Sequence, residues 1–189
     1  LFYQSRAGSR AKVNIGLIGY RAAGKSTLGQ LVSSGLGWRL LDVDRGIEQR
    51  SGKTIKALYE EEGDQVYRDL ESQVVESMCA EKDCVIAFGA GSLMRPQNQV
   101  QARRVSLLFF LELPADVLWD RIRSDPGSEA TRPNLSSGGL GEVVEMLAQR
   151  APVYRECAHK VLDGTRPAEQ LAEEVLSEVS ARHPGEGIR

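Results

Sequence analysis

A chain of 189 residues, 41% of them hydrophobic and 26% charged, fits one globular domain that is large enough to bury a core without disulfide staples. The formal net charge of −2 argues against broad binding to nucleic acid or to acidic membranes, because such binding requires a basic surface. The three cysteines are an odd number without metal-ligand spacing, which indicates free thiols in a reducing compartment, and we therefore expect a cytoplasmic protein.

The N-terminal segment comes before the first predicted element. Residues 1–11 contain no acidic group, and we set them apart as a disordered tail, a remnant of expression or the end of a targeting peptide. Residues 12–182 are predicted to form a single domain, followed by a C-terminal tail over residues 183–189. No stretch approaches the roughly 18 apolar residues of a membrane span, so we expect no membrane partner.

The first predicted strand and helix flank a phosphate-binding sequence. Residues 13–18 are predicted to form a short buried strand and residues 28–34 the body of a helix. Between them, Gly19–Thr27 matches the template G-x-x-x-x-G-K-S/T, whose backbone N–H groups surround phosphates at the positive end of a helix dipole. In this template Lys25 lies near the β- and γ-phosphates and the Ser26 hydroxyl binds Mg²⁺. The alternative is a glycine-rich turn with an accidental lysine, but strand, loop and helix all agree with the motif.

Two carboxylates follow in the second predicted strand, residues 39–44, which ends in Asp42 and Asp44. Because side chains alternate along a strand, both would lie on one side, near the phosphate loop at the edge where open α/β sheets bind ligands. One could hold Mg²⁺ or its waters, and the other could accept a proton from an attacking hydroxyl. The alternative is a polar strand end in which Asp44 caps a helix. The third strand lacks the terminal aspartate that many P-loop proteins use for Mg²⁺, so Asp42 is its natural substitute.

The remaining elements alternate between helix and strand, which predicts the α/β class: a three-layer α/β/α domain with a five-stranded parallel sheet. The long irregular segment at about residues 124–139 is typical of a mobile lid. Predicted strands cover residues 84–88, 105–113 and 160–162. Predicted helices cover residues 54–62 and 64–80, separated by Gly63, then 114–123, 142–150 and 153–159, with a last one from residue 167.

Taken together, the motifs resemble those of the shikimate kinase family over about residues 13–180. The motifs that follow the phosphate loop are each weak alone, but their order and spacing together are specific. The matching pieces are Gly19–Thr27, Asp42-x-Asp44, Gly63–Glu71, Gly89-Ala90-Gly91, Arg132-Pro133 and Arg150–Tyr154.

This resemblance implies a P-loop kinase fold like that of nucleoside monophosphate kinases. It also implies Mg²⁺-dependent transfer of the γ-phosphate of ATP to the 3-hydroxyl of shikimate, a step in aromatic amino-acid biosynthesis. The implied catalytic residues are Asp44, Lys25 and Arg132, the last of which would come down with the lid. Glu71 would hold Arg68 in place from one helical turn away.

The same resemblance implies the binding residues and the partners. Substrate and ATP are the expected partners, with no nucleic acid and no membrane, and we expect a monomer. The implied substrate-binding residues are Asp44, Arg68, Gly89, Ala90, Gly91 and Arg150. The implied nucleotide-binding residues are Gly19, Ala22, Ala23, Gly24, Lys25, Ser26 and Thr27, with Arg121 against adenine and Arg166 and Pro167 bordering that base. The implied metal ligands are Ser26 and Asp42.

The chain departs from the family pattern at a few positions. Ala90 stands where the family usually has glycine, and its methyl group would cost about 1–2 kcal/mol if φ were positive there. Asp64 replaces a usual glutamate, and Asn134 lies at a lid position that is usually apolar. These departures leave two alternatives open: a related gluconate- or nucleotide-directed kinase, and a non-catalytic ligand-sensing domain on the same scaffold.

Overall fold

The computed structural model describes residues 13–125 and 139–182. Five strands form one sheet in the order β2-β3-β1-β4-β5, and all neighbouring strands are parallel. The strands are β1 (Asn14–Ile18), β2 (Arg39–Asp42), β3 (Cys84–Ala87), β4 (Ser106–Glu112) and β5 (Lys160–Asp163). The helices are α1 (Lys25–Leu36), α2 (Val43–Ser51), α3 (Ile55–Cys79), α4 (Pro96–Val105), α5 (Ala115–Ser124), α6 (Gly139–Cys157) and α7 (Ala168–Arg182).

Both faces of the sheet are buried, because its strands are apolar at consecutive positions rather than at alternate ones. In β4, Leu108 and Phe110 belong to the core layer beneath α2, α3 and α4, whereas Phe109 and Leu111 belong to the layer beneath α1, α5 and α7. The three-layer α/β/α prediction is therefore confirmed.

The carboxyl edge of the sheet collects the segments that the sequence singles out. The phosphate loop, residues 19–24, follows the central strand β1, and Asp42 closes β2. Residues 89–91 follow β3, and residues 164–167 follow β5. Because the strands are parallel, these four segments lie at the same edge, where open α/β sheets bind ligands.

Three predictions of secondary structure are wrong. The second strand ends at Asp42, so that Asp44 lies in the first turn of α2 rather than on a strand. The Asp42 side chain caps this unpredicted helix by accepting a hydrogen bond from the Arg45 backbone N–H at 3.3 Å. A second unpredicted helix, α4, starts with Pro96 at a position where proline needs no hydrogen-bond donor. The two helices predicted on either side of residues 151–152 are one helix, α6, which contains Pro152.

Gly63 interrupts α3, as predicted. Its dihedral angles, φ 85° and ψ 169°, lie far from helical values, so the helix is kinked between its two halves. None of the helices in residues 13–125 and 139–182 is long and apolar enough to cross a membrane.

The three cysteines all lie within the described residues, and each is a buried free thiol, as predicted. Burial raises the pKa of Cys79 to about 12 and that of Cys84 to about 11. Burial also raises the pKa of Cys157. All three therefore remain protonated near neutral pH.

Candidate functional site

The phosphate loop has the backbone conformation that its glycines permit. Gly19 has φ 145° and Gly24 has φ 98°, and a side chain at Gly19 would come within 2.9 Å of the Leu111 carbonyl oxygen. Ala22 also has a positive φ, 61°, where a side chain is strained. The Lys25 ammonium donates hydrogen bonds to the carbonyl oxygens of Gly19 at 2.9 Å and of residue 20 at 2.8 Å. Lys25, the first residue of α1, thus ties the phosphate loop back to the start of its own helix.

Ser26 and Asp42 meet beside the loop. The Ser26 hydroxyl donates to Asp42 Oδ2 at 2.9 Å, and both side chains face one open cleft with Gly24, Lys25 and Thr27. We call this the loop cleft. Hydroxyl and carboxylate oxygens are the hard ligands that Mg²⁺ prefers, usually one or two from the protein with water and phosphate completing the shell. The described part of the chain contains no group of three or more His, Cys, Asp or Glu side chains placed to bind a metal.

Asp44 separates the loop cleft from a second cavity. It lines the loop cleft on one side, and on the other it lines a cavity that also contains Arg68, Arg150 and three tyrosines, residues 20, 59 and 67. We call this second space the arginine cavity. Asp44 lies in the first turn of α2, where the helix dipole favours a negative charge. One carboxylate therefore borders both spaces.

Arg68 is fixed by a chain of buried polar contacts. Its Nη1 donates to Glu71 Oε2 at 2.8 Å, and the other Glu71 oxygen accepts from the Ser92 hydroxyl at 2.9 Å. Asp64 adds an ion pair to Arg68 Nε at 3.3 Å, and the guanidinium lies 4.7 Å from the ring centroid of Tyr67. Burial works against the charge on Arg68, but Glu71, Tyr67 and Asp64 together outweigh it and raise the pKa of the guanidinium.

Arg150 enters the same cavity from α6. It is only 9% exposed, and its guanidinium carbon lies 5.7 Å from the ring centroid of Tyr20 in the phosphate loop. Its Nη2 lies 3.7 Å from Met146 Sδ. Burial raises the pKa of the neighbouring Tyr154 hydroxyl, although Arg150 acts in the opposite direction. Arg150 is thus held by Tyr20, Met146 and the Tyr154 hydroxyl.

The segment Gly89-Ala90-Gly91 forms a wall between the charged groups. A Cβ at Gly89 would lie 2.6 Å from Asp44 Oδ1, and a Cβ at Gly91 would lie 2.3 Å from Arg68 Nη1. Ala90 does not have a positive φ, and its carbonyl oxygen accepts a hydrogen bond from the Tyr154 hydroxyl. A side chain at Gly89 or Gly91 would therefore displace Asp44 or Arg68, while Ala90 accommodates its methyl group without backbone strain.

A third cleft lies beyond the loop, lined by Arg121, Arg166 and Pro167. Arg121 donates to the carbonyl oxygens of Ala23 at 3.3 Å and Gly164 at 3.1 Å, so it joins the phosphate loop to the segment after β5. Arg166 forms an ion pair with a glutamate of α7 at 2.6 Å. The three predicted adenine-side residues are thus brought together.

The structure gathers almost every predicted site residue at one edge of the sheet. Arg132, predicted to be catalytic, and most of the predicted lid lie outside the described residues.

Several cavity residues were not predicted. Tyr20 and Arg21 occupy variable positions of the loop template, so the motif assigns them no role. Glu142 lies about two helical turns before Arg150, and this spacing is the one sequence signal that could have placed it on the same helix face. Tyr59 and Tyr67 lie in predicted helices, and no sequence signal placed either in the cavity.

The chain is similar in sequence and structure to known proteins. A family model described as shikimate kinase matches residues 21–180. A shikimate kinase from Oleidesulfovibrio alaskensis is 36% identical over 166 residues, covering 87% of this chain and 96% of that protein. One from Nitratidesulfovibrio vulgaris is 34% identical over 162 residues, covering 85% and 92%. A solved structure of shikimate kinase from Acinetobacter baumannii in complex with shikimate superposes with a TM-score of 0.84 at 28% identity, covering 90% of this chain and 94% of that one.

Proposed function

The chain belongs to the shikimate kinase family, and on that premise we propose that it transfers the γ-phosphate of ATP to the 3-hydroxyl of shikimate. One observation carries the proposal: Asp44 borders both the loop cleft and the arginine cavity. A phosphate donor in the first space and an acceptor in the second would meet at this carboxylate. Phosphoryl transfer depends on such positioning more than on covalent help from the protein.

The loop cleft is proposed to bind the triphosphate of ATP. The backbone N–H groups of the loop and the N-terminus of α1 favour anions. Lys25 would exchange its contacts with the loop carbonyls for the β- and γ-phosphates, and Thr27 lines the same cleft. Ser26 and Asp42 would hold Mg²⁺, which neutralises phosphate charge when it is bound. The hydrogen bond between these two side chains supports this assignment, because it brings two hard oxygen donors together.

The arginine cavity is proposed to bind shikimate by its carboxylate. Arg68 and Arg150 approach from different helices, and a planar guanidinium meets a carboxylate with two parallel hydrogen bonds. Gly89, Ala90 and Gly91 would line the ring, with Gly89 and Gly91 leaving room for Asp44 and Arg68.

Asp44 is proposed to accept the proton of the attacking hydroxyl. A positioned base contributes roughly 10²–10⁴-fold to such reactions. Arg132, assigned from the family resemblance, would add positive charge at the transferring phosphate. Arg121, Arg166 and Pro167 would bind the adenine end, because they form one cleft next to the loop.

The oligomeric state, the location and the partners are also proposed. We propose a monomer in the cytoplasm whose partners are shikimate and ATP and do not include nucleic acid or membranes. The three free cysteines support a reducing compartment. Light scattering of the purified protein tests the monomer, with 20.7 kDa as the expected mass.

A coupled assay of ADP release tests the proposed reaction. Purified protein receives ATP and Mg²⁺ with shikimate, gluconate or quinate in parallel. We expect ADP to form rapidly only with shikimate. Equal rates with gluconate would favour a related kinase, and ADP formation that no acceptor accelerates would favour a ligand-sensing domain.

A further inference from the structure

A buried ion pair links the phosphate loop to the helix that carries Arg150. Arg21 belongs to the loop, and its Nη2 lies 3.7 Å from Oε1 of Glu142 in the first turn of α6. The two side chains are 10% and 1% exposed. Both also line the arginine cavity.

This pair is unusual in its surroundings. Most ion pairs of the described chain lie at the surface, such as Arg39–Glu81 with side chains 64% and 48% exposed. The Arg21–Glu142 separation exceeds hydrogen-bond length, and Arg21 Nε is buried without a hydrogen-bond partner among the described residues. A buried ion pair whose arginine keeps an N–H group without a partner contributes little net stability, because desolvation offsets the attraction. Stability alone therefore does not account for its place beside the cavity.

The loop contacts α6 at two points. Tyr20 lies under the Arg150 guanidinium, and the next residue, Arg21, pairs with Glu142. Glu142 and Arg150 are eight residues apart, so about 12 Å of helix separates the two contacts. Core packing through Val143, Ala151 and Tyr154 already holds α6 against the sheet, and these two contacts add a direct connection to the phosphate loop at two points along the helix.

We propose that Arg21 and Glu142 are positioning residues for the acceptor. Their ion pair seats α6 on the phosphate loop so that Arg150 presents its guanidinium to the substrate carboxylate. The inference rests on the proposed function, since it assumes that Arg150 binds shikimate. Binding of the acceptor then depends on Arg21 of the phosphate loop, which acts through Arg150 rather than by touching the acceptor itself.

Variants of the pair, alone and combined with loss of Arg150, test this role. Arg21→Met leaves Glu142 buried without that positive charge and endangers folding, so the double variant Arg21→Met/Glu142→Leu, which removes both charges, is made as well. We expect both to raise the Kd and KM for shikimate about tenfold, with kcat and the KM for ATP changed by no more than about threefold. Arg21→Lys, which keeps the charge, should restore much of the affinity.

The Arg150→Ala background separates positioning from direct contact. If Arg21 acts through Arg150, Arg21→Met/Glu142→Leu should not weaken shikimate binding further once Arg150 is absent, because the two effects share one interaction. An undiminished tenfold loss in that background would overturn the positioning role. The surface pair variant Arg39→Met/Glu81→Gln is the matched control and should leave all constants unchanged.

Wild-type turnover is measured first to keep the two proposals apart. If wild-type protein does not phosphorylate shikimate, the proposed function fails. If wild type is active and the folded double variant binds shikimate with unchanged affinity, the positioning inference alone is overturned.

Discussion

Asp44 is the residue whose loss should separate chemistry from binding. Asp44→Asn keeps the size of the side chain but removes the base, so we expect kcat to fall by about 10²–10⁴-fold while ATP still binds. Steady-state kinetics and nucleotide titration measure the two effects. Turnover close to that of the wild type would remove Asp44 from the mechanism.

The chain offers a close control for this variant. Asp116 lies in the first turn of α5, as Asp44 does in α2, so both carboxylates sit two residues after the helix cap. Asp116→Asn should lose the same helix-dipole interaction, about 0.3–1 kcal/mol, without loss of turnover.

The glycines of the wall should give different kinetic defects when a methyl group is added. Gly91→Ala would displace Arg68, and the loss of a charge-assisted contact worth about 1.5–3 kcal/mol should raise the KM for shikimate by roughly 10- to 150-fold. Gly89→Ala would displace Asp44 and should mainly lower kcat. Ala90→Gly is the control and should change either constant little. A Gly91→Ala variant with unchanged KM would contradict the assignment of Arg68.

Sequence reasoning names residues whose chemistry is tied to a motif, and it misses those that only a tertiary contact defines. The phosphate-loop motif predicts Lys25, whereas the family resemblance supplies Arg68 and Glu71, whose contact lies where a three-residue helical step places it. Whether Ala90 is strained depended on its φ, which no single sequence reveals. Arg21 and Glu142 are 121 positions apart in the chain, so only the fold brings them together.

At the scale of elements, the kink in α3 should be costly to remove. Gly63 has a backbone conformation that essentially only glycine adopts, so Gly63→Ala should lower the free energy of unfolding by about 1–3 kcal/mol. Gly52→Ala is the control: φ is 68° there, a left-handed conformation that costs about 1 kcal/mol. A side chain would meet nothing within 4 Å at either site, so crowding is not the cause. Chemical denaturation that ranks Gly52→Ala as the costlier change would contradict this account.

The missed helices have identifiable physical causes. Both α2 and α4 are mostly polar, so hydrophobic periodicity gives them little signal, and their starts at Asp42 and Pro96 were the only local indications. Pro152 predicts a break because it lacks an N–H group. In α6 the flanking Ala151 and Tyr154 are buried in the core, and this packing outweighs the lost hydrogen bond.

For the whole molecule, substrate binding should be visible as stabilisation without nucleotide. Arg68 and Arg150 already face one cavity, so shikimate alone at 100 times its Kd should raise the free energy of unfolding by about 2.7 kcal/mol. Thermal or chemical unfolding with and without shikimate measures this, and Arg68→Ala should abolish most of it. Stabilisation that appears only when nucleotide is added would mean that the cavity is not preformed.

The architecture as a whole was predictable because the alternation of strand and helix leaves few arrangements. The meeting of four segments at one edge follows from the parallel sheet, whereas the strand order β2-β3-β1-β4-β5 was not predicted from the sequence. The order of the motifs indicated the shikimate kinase family, and the comparisons confirmed that family.

The buried cysteines make the protein well suited to site-directed labelling. All three cysteines are buried, and burial raises the pKa of each thiol, so a thiol-reactive dye would leave the wild-type chain almost unmarked. A single cysteine introduced at Ser128 would then carry the only fluorophore. Its emission with and without ATP and shikimate would report directly on whether residues 124–139 behave as a lid.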